Sequence, residues 1–245
     1  MLAIIGGSGL TKLANLEVRR RIVARTPYGD PSGAITCGKI DRRDVLFLAR
    51  HDYGHTIAPR EVNYRANLWA LKQAGASEVV SVASVGGIRN DIWPGAILLP
   101  HQVIDYTWGR SSTFFEGPGA PVNHIDFTEP YSRLMRERLL KAAGAAGERI
   151  TDGGVYAATQ GPRLETAAEI NRLQRDGAEI VGMTGMPEAA LAREISLEYA
   201  TIAVVANYAA GRGDSERAVP LDKIEAVLEE AMGRVRRIIE KLCEQ

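Results

Sequence analysis

The chain has 245 residues, and no break in its composition separates two domains, so we expect one domain over residues 1–245. Thirty basic and thirty acidic side chains cancel, which argues against a nucleic-acid-binding surface or a membrane-binding surface. No stretch approaches the roughly 20 apolar residues of a membrane span.

Cysteine use and the first residues indicate the compartment. Cys37 and Cys243 form neither a CxxC motif nor a disulfide framework, which is typical of a reducing environment. The first apolar run ends at Gly6 and has no basic segment before it, unlike a signal peptide. We therefore expect a cytoplasmic protein.

Apolar runs predict seven strands that alternate with helices. The strands are Leu2–Ile5, Val45–Ala49, Glu78–Ala83, Ala96–Leu99, Val155–Ala158, Glu179–Val181 and Thr201–Ala206. The helices are Val62–Gln73, Tyr131–Ala143, Glu165–Gln174, Pro187–Glu194 and Asp222–Leu242. This alternation predicts an α/β fold with a central mixed β-sheet covered by helices.

The final helix has the clearest periodicity. Its apolar stripe consists of Ile224, Val227, Leu228, Ala231, Val235, Ile238 and Leu242. Asp222, followed three residues later by Glu225, predicts a capping box at its start.

The first predicted strand runs directly into the loop Gly6-Gly7-Ser8-Gly9. These glycines permit positive φ angles and let backbone N–H groups approach a ligand. Together with the Ser8 hydroxyl, such amides suit an anion. The loop matches neither the dinucleotide fingerprint nor the P-loop, and a tight turn without a ligand explains it equally well.

Arg50 and His51 follow the second predicted strand. A guanidinium suits a bidentate phosphate contact, and an imidazole can donate to an oxyanion or a sugar hydroxyl. His51 and His55 are four residues apart, but Gly54 and Pro59 disfavour the helix that would aim both rings at one metal ion. We expect no metal here, and ordinary polar loop residues are the alternative.

Four further segments follow predicted strands or end them. They are Val82–Gly87, Ala158–Thr166, Val181–Glu188 and Val204–Gly211. The paired glycines of the first suit either a flat ligand or a simple turn. The last carries Asn207 to a strand's carboxyl end, where ligands bind in α/β sheets.

Five motifs together make the chain resemble the trimeric purine nucleoside phosphorylase and methylthioadenosine phosphorylase family over nearly its whole length. They are IIGGSGL, LARHxxxHT, PxxVNYRANLWALK, the QGPRLET segment and GMTGMPEAALARE. The resemblance implies a mixed-sheet α/β fold, a homotrimer with sites near subunit boundaries, and a purine-salvage reaction. In this reversible phosphorolysis, phosphate attacks the anomeric carbon of a nucleoside and releases the base and a ribose 1-phosphate. Neither metal nor organic cofactor is implied, since inorganic phosphate is a co-substrate.

The resemblance also implies residue roles. The phosphate-binding positions are Ser8, Arg50, His51, Ala83, Ser84 and Thr184. Met183 would lie against the ribose, and His124 would reach the 5′ end of the sugar in a neighbouring subunit. A purely structural role is the alternative for both, since methionines at strand ends are more often core residues. His51 and Asn207 are the expected catalytic residues.

Glu165 and Asn207 indicate a 6-oxopurine base, in a pocket that includes Tyr208 and Ala209. Asn207 can donate to O6 and accept from a protonated N7, and Glu165 can accept the N1–H. The resemblance implies that the methylthioadenosine branch has Asp at the positions of Asn207 and Ala209. It also implies that the inosine/guanosine branch has a carboxylate at the position of Glu165, which the adenine-preferring branch lacks. Because a mismatched base leaves buried groups unpaired, it can be rejected ~10⁴-fold. We expect hypoxanthine or guanine.

Leu221 and Ile224 indicate an apolar 5′ group. They stand where the methylthioadenosine branch keeps apolar residues and the 6-oxopurine branch supplies a histidine. Neither can hydrogen-bond a hydroxyl, so both favour a thioether. Helix packing is the alternative for Ile224. The preference for a 6-oxopurine base and the preference for a 5′ thioether together predict 5′-methylthioinosine as the substrate.

Three other functions stay open at this point. A broad inosine/guanosine phosphorylase comes first, and a methylthioadenosine phosphorylase follows. From a different class, a non-catalytic regulator could bind a nucleotide or phosphosugar through the same loops. Release of free base that depends on phosphate would exclude the regulator.

Overall fold

In the computed structural model, which describes residues 1–245, eleven strands form one mixed β-sheet. The strands are β1 (Leu2–Gly6), β2 (Glu17–Ile22), β3 (Ile35–Ile40), β4 (Arg43–Ala49), β5 (Glu78–Gly87), β6 (Ile97–Leu99), β7 (Gln102–Asp105), β8 (Thr151–Asp152), β9 (Val155–Ala158), β10 (Ile180–Gly182) and β11 (Glu198–Tyr208). The helices are α1 (Tyr64–Gln73), α2 (Arg133–Ala145), α3 (Ala167–Arg175), α4 (Gly185–Glu194) and α5 (Leu221–Cys243). The predicted α/β class with a mixed sheet is confirmed.

Strand β5 is the centre of the sheet. It runs parallel to β1 on one edge and parallel to β11 on the other. Beyond β1, Gly86 and Gly87 pair with the antiparallel strand β10. These glycines therefore lie inside a strand and form no turn. A side chain does not fit at Gly87, where a Cβ would lie 2.5 Å from the carbonyl oxygen of Ile92.

Four parallel strands end at one edge of the sheet. β4 is parallel to β1, and β1, β5 and β11 are mutually aligned through β5. In such sheets the carboxyl ends of the strands form the ligand crevice. The order of the strands thus brings Ser8, Arg50, Ser84 and Asn207 to a common place, although they are distant in the sequence.

Two large apolar clusters fill the space between the sheet and its helices. One contains residues of α1 and α4, and the other contains residues of α2 and α5. Apart from Val227, the predicted stripe of α5 packs into the second cluster from Ile224 to Leu242. None of the helices combines the length and the apolar character that a membrane crossing requires.

The capping box lies on a different helix from the one predicted. Helix α5 begins at Leu221, so Asp222 is already inside the helix, and no side chain caps its start. Instead, Thr166 accepts a hydrogen bond from the backbone N–H of Glu169, whose carboxylate accepts one from the N–H of Thr166. This box fixes the start of α3.

Candidate active site

A cavity of about 490 Å³ lies at the carboxyl ends of the central strands. It brings together most of the predicted site residues: Ser8, Arg50, His51, Ala83, Ser84, Glu165, Met183, Thr184, Asn207, Ala209 and Ile224. Tyr208, Leu221 and His124 do not line it.

The glycine loop after β1 packs tightly against the sheet. Only Gly9 has a positive φ, of 80°, so Gly6 and Gly7 do not supply the predicted left-handed turn. Gly7 is needed for another reason, because a Cβ there would lie 2.6 Å from the carbonyl oxygen of Val82. The Ser84 hydroxyl donates to the carbonyl of Ser8 at 3.1 Å and ties this loop to β5.

Arg50 is fully buried at the floor of the cavity. Its Nε and Nη2 donate to both carboxylate oxygens of Glu188, at 2.7 and 2.9 Å. Nη2 also donates to the Ser81 hydroxyl and Nη1 to the Val82 carbonyl. Four of its five N–H groups are thus used inside the protein. In this arrangement a single Nη1–H is left for a ligand, so we expect any contact of Arg50 with phosphate to use one N–H and not two.

Glu188, which sequence reasoning did not select, neutralises Arg50. Its Oε1 also accepts hydrogen bonds from the hydroxyls of Ser81 and Tyr199, both at 2.8 Å. Burial alone would raise the pKa of Glu188, but Arg50 and these hydrogen bonds hold it below its ordinary value. One signal was available in the sequence, since a carboxylate within the apolar run Met186-Pro187-Glu188-Ala189 has to be paired if the run is buried.

His51 is held as a hydrogen-bond acceptor. Its Nδ1 lies 2.8 Å from the carbonyl oxygen of Ile57, and since a carbonyl only accepts, Nδ1 carries the hydrogen. Burial and the charge of Arg50 lower the pKa of His51 to about 4, so the ring is neutral near pH 7. Its Nε2 therefore has a lone pair. The expectation that His51 donates to an oxyanion is replaced by one in which it accepts from a hydroxyl.

The rings of His51 and His55 are neighbours, with centroids 4.9 Å apart. They meet through a turn and not a helix, because Asp52 and His55 adopt left-handed φ angles of 64° and 54°. His55 Nε2 lies 3.4 Å from the Ser8 hydroxyl, which links the two loops. No group of three or more potential ligands (His, Cys, Asp or Glu) is placed to hold a metal ion.

Thr184 and Met183 form the next part of the wall. Thr184 precedes α4, where its hydroxyl does not cap the helix, and its side chain lines the cavity. Met183 packs against Gly161, where a Cβ would lie 2.4 Å from its sulfur atom. Gly161 also has a left-handed φ of 62°, which favours glycine at this position.

Arg110 is a second residue that sequence reasoning missed. Its Nη1 donates to the carbonyls of Met183 and Met186, at 2.8 and 2.7 Å, and its Nη2 to that of Gln160 at 2.9 Å. It joins the segment before α4 to the segment after β9. No signal was available, because Arg110 stands in an irregular polar stretch without periodicity.

Glu165 and Asn207 also line the cavity, and each keeps hydrogen-bonding capacity. The Thr159 hydroxyl donates to Oε1 of Glu165 at 2.6 Å. Asn207 Nδ2 donates to the carbonyl of Tyr208 at 2.7 Å, which leaves Oδ1 and one N–H. Tyr208 therefore contributes its backbone to the site, while its side chain lies outside the cavity lining.

The wall at the start of α5 is apolar and differs from the predicted one. Val219, Ile224 and Leu228 line the cavity. Leu221 is 66% exposed and does not, because it lies one turn before the first α5 residue that packs on the core. The prediction for Leu221 is wrong, and Val219 and Leu228 take its place.

His124 lies in the irregular segment between β7 and α2. Its side chain is exposed and is not part of the cavity of its own chain. A single chain therefore does not bring it to this site.

Comparison with known proteins gives a consistent family. The model of the phosphorylase superfamily matches residues 1–244. A probable S-methyl-5′-thioinosine phosphorylase of Pseudomonas syringae pv. tomato is 52% identical over 98% of this chain and 97% of its own length. The 6-oxopurine nucleoside phosphorylase of Pyrococcus furiosus is 44% identical over 86% of this chain and 80% of its own.

Solved structures are also similar. Methylthioadenosine phosphorylase from Schistosoma mansoni, in complex with adenine, superposes with a TM-score of 0.93 at 30% identity, over 99% of this chain and 90% of that one. A second structure of this enzyme, a serine-to-threonine mutant in complex with methylthioadenosine, gives 0.92 at 29% identity over the same shares.

Proposed function

This chain belongs to the phosphorylase superfamily, as a pentosyltransferase of the nucleoside phosphorylase type, and from that premise we propose that it converts 5′-methylthioinosine and phosphate to hypoxanthine and 5-methylthioribose 1-phosphate. One observation carries the proposal. A single cavity is lined by hydrogen-bond donors for an anion, by the pair Glu165 and Asn207, and by the apolar side chains of Val219, Ile224 and Leu228.

At the floor, phosphate is bound mainly by neutral donors. Ser8 and Thr184 offer hydroxyls, the Ala83–Ser84 segment offers backbone, and Arg50 offers one N–H. His51 accepts a hydrogen bond from a hydroxyl, either that of monohydrogen phosphate or one of the ribose. This array positions phosphate for in-line attack, an orientation effect that supplies several kcal/mol.

The reaction breaks the bond between C1′ and N9. As this bond lengthens the sugar becomes cation-like, and the phosphate beneath it stabilises that charge and forms the new bond to C1′. The electron pair of the broken bond passes to the purine, which takes up a proton from water at N7, while monohydrogen phosphate gives its proton to water as it becomes the phosphate monoester. Asn207 Oδ1 accepts a hydrogen bond from that N7–H and so acts on the leaving group.

The base and the 5′ group are selected separately. Asn207 donates its remaining N–H to O6, and Glu165 accepts the N1–H of a 6-oxopurine. An adenine would put its amine against the amide N–H of Asn207 and its N1 lone pair against Glu165. The apolar side chains of Val219, Ile224 and Leu228 cannot hydrogen-bond a 5′-hydroxyl, and they therefore favour a methylthio group.

We further propose that the active form is a homotrimer in which His124 completes a neighbouring site near the 5′ end of the sugar. Its exposed position outside the cavity of its own chain supports this assignment. The reaction as proposed needs neither a metal nor an organic cofactor. The expected compartment is the cytoplasm.

A substrate panel tests the proposal. Release of free base is measured for methylthioinosine, inosine, methylthioadenosine and adenosine, each with and without phosphate. We expect turnover that depends on phosphate, with the highest kcat/KM for methylthioinosine. Faster cleavage of inosine would favour a broad 6-oxopurine phosphorylase, faster cleavage of methylthioadenosine would overturn the base assignment, and binding without turnover would indicate a regulator.

A further inference from the structure

We propose that Thr159 is a positioning residue for base selection, which orients the carboxylate of Glu165 so that the site accepts 6-oxopurines and rejects 6-aminopurines. The inference rests on the proposed function, because it assigns a further residue to the base end of the same cavity. Sequence reasoning gave Thr159 no role.

Thr159 is itself firmly placed. It follows β9, and its backbone N–H donates to the carbonyl of Gly182 at 2.8 Å. Its hydroxyl lies 2.6 Å from Oε1 of Glu165 and 3.3 Å from the oxygen of Gly182. A hydroxyl has one hydrogen to donate, and the bond to a charged acceptor is the shorter and stronger one. Thr159 therefore donates to Glu165.

Glu165 has no other anchor within the protein. The hydrogen bond from Thr159 is the one it makes, although Arg163 is only two residues away. Both Nη atoms of Arg163 instead donate to Glu169, at 2.8 and 2.7 Å. Because Glu169 also closes the capping box of α3, this arginine is held away from Glu165. The Thr159 hydroxyl alone fixes the carboxylate.

The anchored carboxylate can serve only one kind of base. With Oε1 occupied by Thr159, Oε2 remains as an acceptor, and Glu165 lines the cavity. The N1–H of a 6-oxopurine donates to such an oxygen, whereas N1 of a 6-aminopurine presents a lone pair to it. A released carboxylate could turn away and leave room for water beside adenine. The Thr159 hydrogen bond thus acts on selectivity, and not on bond cleavage.

Two substitutions separate the hydroxyl from the shape of the side chain. Thr159→Val removes the hydroxyl at nearly constant volume, and Thr159→Ser keeps it. We measure kcat/KM for methylthioinosine and methylthioadenosine at saturating phosphate, with thermal unfolding as a check of the fold. For Thr159→Val we expect methylthioinosine to lose about 10-fold, the size of one hydrogen bond, while methylthioadenosine stays within about threefold. Thr159→Ser should keep the wild-type ratio.

A Glu165→Gln background tests whether Thr159 acts through Glu165. There, Thr159→Val should change the ratio of the two substrates by less than about twofold, because the positioned carboxylate is already gone. An equal loss for both nucleosides in Thr159→Val, or an undiminished effect in the Glu165→Gln background, would overturn the inference alone. A wild type that prefers methylthioadenosine would overturn the proposed function, and the inference with it.

Discussion

Arg50, which lines the cavity, forms a fully buried ion pair with Glu188, with Nε–Oε2 and Nη2–Oε1 distances of 2.7 and 2.9 Å. The charge of the arginine is therefore matched before any ligand enters. The carboxylate also fixes the plane of the guanidinium, so that the remaining Nη1–H has one direction. Arg50 therefore acts mainly as an oriented hydrogen-bond donor, because Glu188 already neutralises its positive charge.

This pairing predicts coupled losses of stability. Arg50→Met or Glu188→Gln alone should lower the free energy of unfolding by about 3–5 kcal/mol, because each leaves a buried charge without its partner. The double variant should lose clearly less than the sum of the two. Urea unfolding followed by circular dichroism measures all four proteins. Simple additivity would show that the two residues act independently.

Arg50→Met should also raise the KM for phosphate at least 10-fold, because it removes the oriented donor at the cavity floor. The double variant Arg50→Met/Glu188→Gln should recover stability without recovering this KM. Initial rates at varied phosphate, at a temperature where every variant is folded, give the comparison. An unchanged KM in both would remove Arg50 from the phosphate site.

His51 predicts a pH effect on stability. Burial and the charge of Arg50 lower the pKa of His51 from its ordinary value of 6.5 to about 4, so below pH 6.5 the unfolded chain binds a proton that the folded protein does not. This contribution to stability is complete above pH 6.5 and is lost as the pH falls towards 4. From pH 7.5 to 5.5 the wild type should lose about 1 kcal/mol more than His51→Gln in urea unfolding. Parallel slopes for the two proteins would contradict the buried neutral ring.

The base preference should be adjustable through two residues. Asn207→Asp should weaken turnover of 6-oxopurine nucleosides and raise relative activity on 6-aminopurines, because it replaces a donor to O6 by an acceptor for an amine. The change should be incomplete while Glu165 faces N1, and adding Glu165→Gln should extend it. The two effects should couple, since both residues contact one base. Steady-state kinetics on methylthioinosine and methylthioadenosine measure this, and strict additivity would argue against a shared ligand.

The 5′ wall offers a matched pair of substitutions on one helix. Ile224→Ser should lower kcat/KM for methylthioinosine relative to inosine by about 10-fold, because it takes apolar contact from the methylthio group. Leu221→Ala is the control, since Leu221 is exposed and outside the cavity, and it should leave the ratio unchanged. An equal effect of the two substitutions on this ratio would show that the apolar wall is assigned to the wrong residues.

Assembly should be necessary for full activity. Sedimentation velocity at assay concentrations should show a trimer, and His124→Ala should reduce turnover without changing the sedimentation coefficient. A substitution that produces a folded monomer should reduce turnover as well. A fully active monomer would show that His124 of another chain contributes nothing.

The sequence predicts the strands that are buried and uninterrupted, such as β1, β4 and β9, because an apolar run is a direct signal. It does not predict β2, whose residues EVRRRI are almost all exposed on an edge hairpin, or β3, whose buried run ITCGKI includes a glycine and a lysine. The short strands β7 and β8 are also not predicted. At the site, motif residues were found through their order along the chain. Glu188 and Arg110 were missed because their roles depend on partners far away in the sequence, which no local pattern records.

The walls of the cavity around the reacting bond differ in origin from those around the 5′ group, which include the uncapped start of α5. Where the bond would be cleaved, the walls come from central strands and a buried ion pair. Around the 5′ group, they come from Val219 and the first turns of helix α5, which begins at Leu221 without a side-chain cap. Val219 is half-buried and belongs to none of the apolar clusters, so a substitution there disturbs few interactions elsewhere, and we expect preference for the 5′ substituent to diverge readily among relatives that keep the same chemistry. The residues around the reacting bond would then stay the same among relatives, while those around the 5′ group change with the substrate.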